Sequence, residues 1–352
     1  MRVKHIFIIF ISIFSLYNFI DVKVLKATYN ESELIDYINE NEIYNEAIWH
    51  GLNFYNIIKN KSGFTSLFLL TKKKYQIQSE VLNNDWFLSP IGNISPADEL
   101  IASIKNLFNS NSDLKCKHAG KYLWLKYRFK NRIPYYKFTF CAEFNNWFQR
   151  YKNSDIYFLS ISSDIKSTST MFGHNMLMIG HKNYNYIRFI NYGVPKEIIV
   201  KDWPIFRQVK GLSKMYYSNF GILEYDDIRK DYIENNRKID VYKISLNQHE
   251  KEVLLAHIWS IIEGYTNFKL NMNRVDPESV NINDYFIMFK YGFILENCSY
   301  QIFNLIQAVK PKLRLHFAKL KPRFIKPQTV FDILKKENVI SLQRLNLDDF
   351  VK

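Results

Sequence analysis

"MFGHNMLMIGHKNYNYIRFINYG", residues 171–193, decides the fold. An apolar run from His174 to Gly180 is followed by the turn-forming "HKNY" and a second strand-like run, "NYIRFINYG", which together predict a β-hairpin. A turn centred near Lys182 and Asn183 sets residues 190 to 192 opposite His174. The face each residue takes depends on register, so either Asn191 or Tyr192 is placed to orient the imidazole. His174 follows Gly173 and a loop of small residues, "SSDIKSTST", that leaves its ring accessible.

Working outward, "DIYFLSIS" at 155–162 reads as a further strand and "QHEKEVLLAHIWSIIEGY" at 248–265 as an amphipathic helix. "PQTVFDILKKENVI" closes the chain with a short helix. Upstream, "NESELIDYINENEIYNEAIWHGLNFY" has helical periodicity, and "SPADELIASIKNLFNS" is a helix with Ser95 as cap and Pro96 at its first position. "KYLWLKYRFKNRIPYYKFTF" at 121–140 reads as a hairpin flanked by Cys116 and Cys141, which are natural disulfide partners. The expected architecture is α+β: an N-terminal α/β extension over 28–150 and a core over 151–345.

The chain has 352 residues, 47% of them hydrophobic, enough for one large domain with an added subdomain. Its formal charge of +14 suits anionic partners, and the absence of any nucleic-acid motif argues against nucleic acid among them. Residues 1–27, "MRVKHIFIIFISIFSLYNFIDVKVLKA", have a basic start, an apolar run and a cleavage site after Ala27, the layout of an export signal or an N-terminal anchor. The expected compartment is therefore the periplasm or cell envelope, where disulfides persist. Between Lys310 and Lys326 lie seven Lys/Arg and no acid, and residues 312 to 317 alternate basic with apolar as a half-exposed strand would. Such a tail faces either solvent or an anionic membrane surface.

Pairing Cys116 with Cys141 leaves Cys298 over, in "YGFILENCSYQIFNLIQAVKP" at 291–311. Asn297 is a good N-cap, which puts Cys298 in the first turn of a helix, where the helix dipole favours a thiolate. A nucleophilic thiol also needs a base. His5 lies in the export signal, His50, His249 and His257 on helical stretches, and His181 in the hairpin turn. His316 falls in the basic run, and His118 stands beside Cys116 with no second pair to make a metal corner. His174 is the candidate base. No cofactor and no metal are expected.

The segments "STSTMFGHNMLMI", "FINYG" and "FILENCSYQIFNLI" resemble the N-terminal periplasmic domain family of Lnb, a bacterial lipoprotein N-acyltransferase. Further likeness runs in order over roughly residues 46 to 340. That family is similar to circularly permuted papain-like thiol enzymes of the NlpC type, in which the histidine precedes the cysteine. The resemblance implies Cys298 as nucleophile, His174 as base and Asn191 as the polar residue on the following strand, with Gly173, Asn297 and Tyr192 in support. It implies an acyltransferase or acyl hydrolase working through a thioester on lipid-linked or lipoprotein substrates. The alternatives are a cell-wall peptidase or amidase of the same fold and a non-catalytic envelope binding protein. The membrane-spanning region of full Lnb proteins has no counterpart here, and the family's glycine-rich middle is reduced to "GLSKMYYSNF".

Overall fold

The computed structural model describes residues 28–59, 75–109, 112–130, 132–163, 173–181, 187–194, 203–213, 216–272, 289–292, 296–314, 316, 325–341, 343–345 and 347–350. The export signal, the "STST" loop and the hairpin turn at 182–186 lie outside them.

The front section opens on α1 (Glu31–Glu40), whose cap Asn30 and Glu33 form a reciprocal capping box. α2 (Ala47–Leu52) leads into an antiparallel pair, β1 (Tyr55–Lys59) and β2 (Tyr75–Ser79). α3 (Pro96–Phe108) begins as expected, with Ser95 accepting from Asp98 N–H and Pro96 in the first turn. Its Glu99 pairs with Lys121, both side chains almost wholly buried, and also accepts from the N–H groups of Leu88 and Ser89.

The expected hairpin after Cys116 is not there. α4 (Ser112–Lys117) and α5 (Ala119–Arg128) occupy that stretch, followed by a short 3-10 turn at Tyr135–Phe138 and by α6 (Ala142–Tyr151). Every residue from Ala119 to Leu125 is buried, so α5 shows no polar face that would betray a helix in the sequence. Gly120 lets it cross a later helix closely, since a Cβ there would lie 2.7 Å from the His257 Cα. The disulfide between Cys116 and Cys141 is formed, and it ties the α4 end to the start of α6.

The core is a six-stranded sheet in the order β7-β3-β4-β5-β6-β8, every neighbour antiparallel. Its strands are β3 (Asp155–Ile161), β4 (His174–Gly180), β5 (Arg188–Gly193), β6 (Tyr216–Leu223), β7 (Ile239–Lys243) and β8 (Phe289–Tyr291). α7 (Pro204–Leu212) connects β5 to β6, and α8 (Tyr225–Ile228) runs into a π-turn at Arg229–Ile233. All seven residues of β4 are buried, as a central strand covered on both faces requires.

Alternate residues feed two cores. Leu177, Ile179, Ile190 and Tyr192 join the larger one, with α9 (Gln248–Met272) and α10 (Cys298–Gln307). Met176, Met178 and Phe189 face a smaller one closed by Ile228, Tyr232 and Phe350. α11 (Pro327–Lys336) packs against α10 and β3.

The basic tail also departs from expectation. Pro311–Leu313 form a 3-10 turn rather than a strand, and Leu313 is buried. Lys310 pairs with Glu250 at 2.6 Å, His316 pairs with Glu337 at 2.9 Å, and Arg314 binds Ala47 O and His50 Nδ1. These described tail residues are thus tied into the body of the protein.

Candidate active site

The first turn of α10 is set by its cap. Asn297 Oδ1 accepts from Tyr300 N–H at 3.1 Å, and its Nδ2 donates to Ile325 O at 2.8 Å. That fixes Cys298 at the positive end of a wholly buried helix, itself 5% exposed and the one cysteine outside the disulfide.

His174 enters from the sheet. Gly173 before it has φ +89°, a conformation only glycine adopts freely, and a Cβ there would meet Ile161 O at 2.8 Å. β4 then pairs with β5 through Leu177 and Ile190. Extending that register sets His174 level with Gly193, two residues beyond the expected turn geometry. A shift of two keeps every side chain on its face. Asn191 is therefore a diagonal neighbour on the His174 face, and His174 Nε2 lies 2.6 Å from Asn191 Oδ1. Tyr192 turns to the opposite face, where its ring meets Phe220 and Phe289, so the orienting contact falls to Asn191 alone.

With Nε2 turned to Asn191, the imidazole also lies close enough to the Cys298 sulfur for each group to shift the other. The site thus lies at the end of the sheet where the two cores meet. Burial pushes the Cys298 thiol up. The His174 charge and hydrogen bond, the Asn175 backbone N–H and the Ser299 hydroxyl outweigh it and bring the thiol down to about 7. Burial pulls His174 down, but the sulfur charge and the bonds to Cys298 and Asn191 leave it raised. Each group is a cause of the other's shift, and both shifts favour the charged forms.

Three residues that the sequence reading passed over complete the site. Tyr232 lies parallel to the His174 ring, with centroids 6.0 Å apart, and is presented by the π-turn. The Arg237 guanidinium covers the Tyr232 ring at 4.8 Å and donates twice to Ser162 O, at 2.9 and 2.6 Å. Tyr291 on β8 is buried beside Cys298, whose charge acts on its hydroxyl. Burial raises its hydroxyl well above the ordinary range, so it stays a neutral donor. Tyr291 stands only seven residues before Cys298 in sequence, and that nearness is the signal that could have found it.

Residues 143–269, which include His174, Asn191, Tyr232 and Arg237, match the family described as the Lnb N-terminal periplasmic domain. This stretch is similar to the Lnb periplasmic domain. Cys298 and Tyr291 lie C-terminal to the matched segment of the Lnb domain. Residues 41–128 match a separate family, described as a domain of unknown function (DUF7843), so of the Lnb likeness expected across 46–340 only 143–269 is matched, and residues 270–340 fall in neither family. Comparison with curated proteins and with solved structures returned no match.

Among the described histidines, His174 is the one named as acting on the thiol. Burial holds His50 down to about 4 and His257 to about 3, with Arg314 and Lys121 adding to the shift. His118 is buried and lowered too, and the Cys116 sulfur beside it is committed to the disulfide. Among the described residues no group of three or more His, Cys, Asp or Glu is placed to hold a metal, and no helix is long and apolar enough to cross a membrane.

Proposed function

We propose that this protein is an exported thiol enzyme of the cell envelope that moves or hydrolyses acyl groups through a thioester on Cys298. The observation that carries the reading is His174, held by Asn191 at 2.6 Å and interacting with the Cys298 sulfur at a helix N-terminus. The thiolate attacks an ester or amide carbonyl, and the carbonyl electrons collect on oxygen. The Cys298 N–H at the helix start is the donor proposed for that oxyanion, with the neighbouring Tyr291 hydroxyl as a second. His174 gives its proton to the departing alcohol or amine, leaving the acyl group on sulfur. It then takes a proton from the incoming amine or water, which displaces the thiolate.

The core is read as a circularly permuted papain-like fold of the NlpC type. In support, the histidine strand precedes the cysteine helix, the orienting Asn191 lies on the next strand, and α10 packs against β4 and β5. Lipid-linked or lipoprotein substrates follow from the Lnb likeness, and export follows from the signal layout of residues 1–27. The test is covalent labelling by a thiol-reactive acyl probe. Parent protein is expected to label, Cys298→Ser not at all, and His174→Ala weakly. Equal labelling of both variants and the parent removes the enzyme reading.

A further inference from the structure

α7 has its apolar side on the wrong face for a surface helix. Ile205, Phe206, Val209 and Leu212 recur at i, i+1, i+4 and i+7, which makes one stripe. Instead of packing inward, these side chains are 68, 59, 54 and 56% exposed, and Trp203 at the N-cap is 76% exposed. Among the residues of the helix whose burial is described, the buried one is Gly211, which lies nearly opposite the stripe on a 3.6-residue turn. The helix therefore rests on the body by its glycine side and holds five large apolar residues outward. Scattered single hydrophobics are ordinary at a surface, but a contiguous stripe marks a contact face.

Its occupant is indicated by charge and by position. From Trp203 to Lys214 the segment carries Arg207, Lys210 and Lys214 and no acid, within a chain of formal charge +14. A second copy of so basic a chain is repelled, whereas an anionic bilayer is attracted. An apolar stripe led by Trp and Phe and flanked by Lys and Arg is the composition of a helix lying in the interfacial plane.

The position follows from the strand registers. β5 leaves the sheet at Gly193, and β6 re-enters at Tyr216, paired with Tyr291. The connection holding α7 thus emerges from the sheet end that carries His174, Asn191 and Tyr291.

We infer that α7 is a membrane-docking helix that seats on an anionic phospholipid surface and brings the thiol end of the sheet to that surface. This deepens the acyl-transfer reading by naming the phase from which the acyl substrate comes. Docking itself needs no thiol chemistry, so it is tested in full-length Cys298→Ser protein, where failure of docking and failure of catalysis are separate results.

The probe is a set of phosphatidylglycerol and phosphatidylcholine vesicles carrying lipids brominated in the upper acyl chain. Trp49, Trp86, Trp124 and Trp259 are buried and Trp147 packs half-buried against the core, so Trp203, 76% exposed, is the outward reporter and Trp203→Phe isolates its signal. Tryptophan fluorescence is expected to be quenched on phosphatidylglycerol vesicles, and that quenching is expected to vanish in Trp203→Phe. Placing Ser at Phe206, Val209 and Leu212 together is expected to reduce the quenching at least about tenfold at fixed lipid, since three apolar side chains lose their burial. Circular dichroism of the triple variant checks that the fold is kept. The inference is overturned if vesicle-bound protein shows no Trp203 quenching, if quenching is equal on phosphatidylcholine, or if the stripe is covered by a dimer that the triple variant dissolves.

Discussion

Removing the Asn191 side-chain carbonyl in Asn191→Ala is expected to disarm Cys298 without touching it. Asn191 Oδ1 accepts from His174 Nε2 at 2.6 Å, a bond that favours the protonated ring. A hydrogen bond to a charged group contributes about 1.5–3 kcal/mol, and one pKa unit corresponds to about 1.4 kcal/mol. Loss of the bond lowers His174 and weakens the charge that holds the thiol at about 7. The thiol should therefore rise by about one to two units. At pH 7 about half of the parent thiol is ionised. In the variant the fraction falls to about a tenth or about a hundredth, so alkylation slows by about five- to fiftyfold.

The assay is the iodoacetamide rate from pH 5 to 10, and the disulfide leaves Cys298 as the single reactive thiol. The rate should climb through pH 7 in the parent and through about 8 to 9 in Asn191→Ala, converging at high pH. In His174→Ala burial acts on the thiol without the partner ring, and the midpoint should rise further still. A midpoint that stays near 7 in Asn191→Ala refutes the coupling, as does a lowered plateau with no shift.

Tyr291→Phe removes a hydroxyl that interacts with the sulfur and should move the alkylation midpoint less than Asn191→Ala does, while acyl transfer drops about tenfold to a hundredfold through the lost oxyanion donor. A shifted midpoint with unchanged transfer would place Tyr291 in thiol activation instead. Gly173→Ala forces φ +89° on a residue with a Cβ only 2.8 Å from Ile161 O, and should cost about 1–2 kcal/mol in conformation alone. Thermal unfolding reads that cost, and an unchanged melting temperature speaks against the strain. Cys116→Ser with Cys141→Ser opens a 25-residue closure and should cost about 3 kcal/mol in denaturant unfolding, with the alkylation midpoint of Cys298 unmoved.

The parts of the site that were legible are those set by local rules. Asn297 caps the helix through a bond three residues ahead, so the position of Cys298 was written in "ENCSY". Asn191 was legible because sidedness in a hairpin depends on parity. The register differs by two from the expected turn, and His174 and Asn191 still share a face. A shift of one would have delivered Tyr192. Tyr291 and Tyr232 were beyond such rules. β8 joins the sheet beside β6 and β7 beside β3, and neither neighbour follows from a turn. The π-turn that presents Tyr232 has no apolar period of its own.

Apolar periodicity misled at α5, while at α7 it is plain and only the partner of the stripe is missing. A pattern reports a helix only when a single face is apolar. α5 is buried all round from Ala119 to Leu125, so its period is erased and a run of alternating Lys and aromatic residues reads as strands. α7 keeps a clear stripe, but nothing in the described structure covers it. A stripe of that kind, left outward beside the thiol end of the sheet, is a cost to a soluble surface unless another apolar phase meets it. The same reasoning that locates cores in a sequence therefore locates, in α7, the place where this protein expects an apolar partner from outside itself.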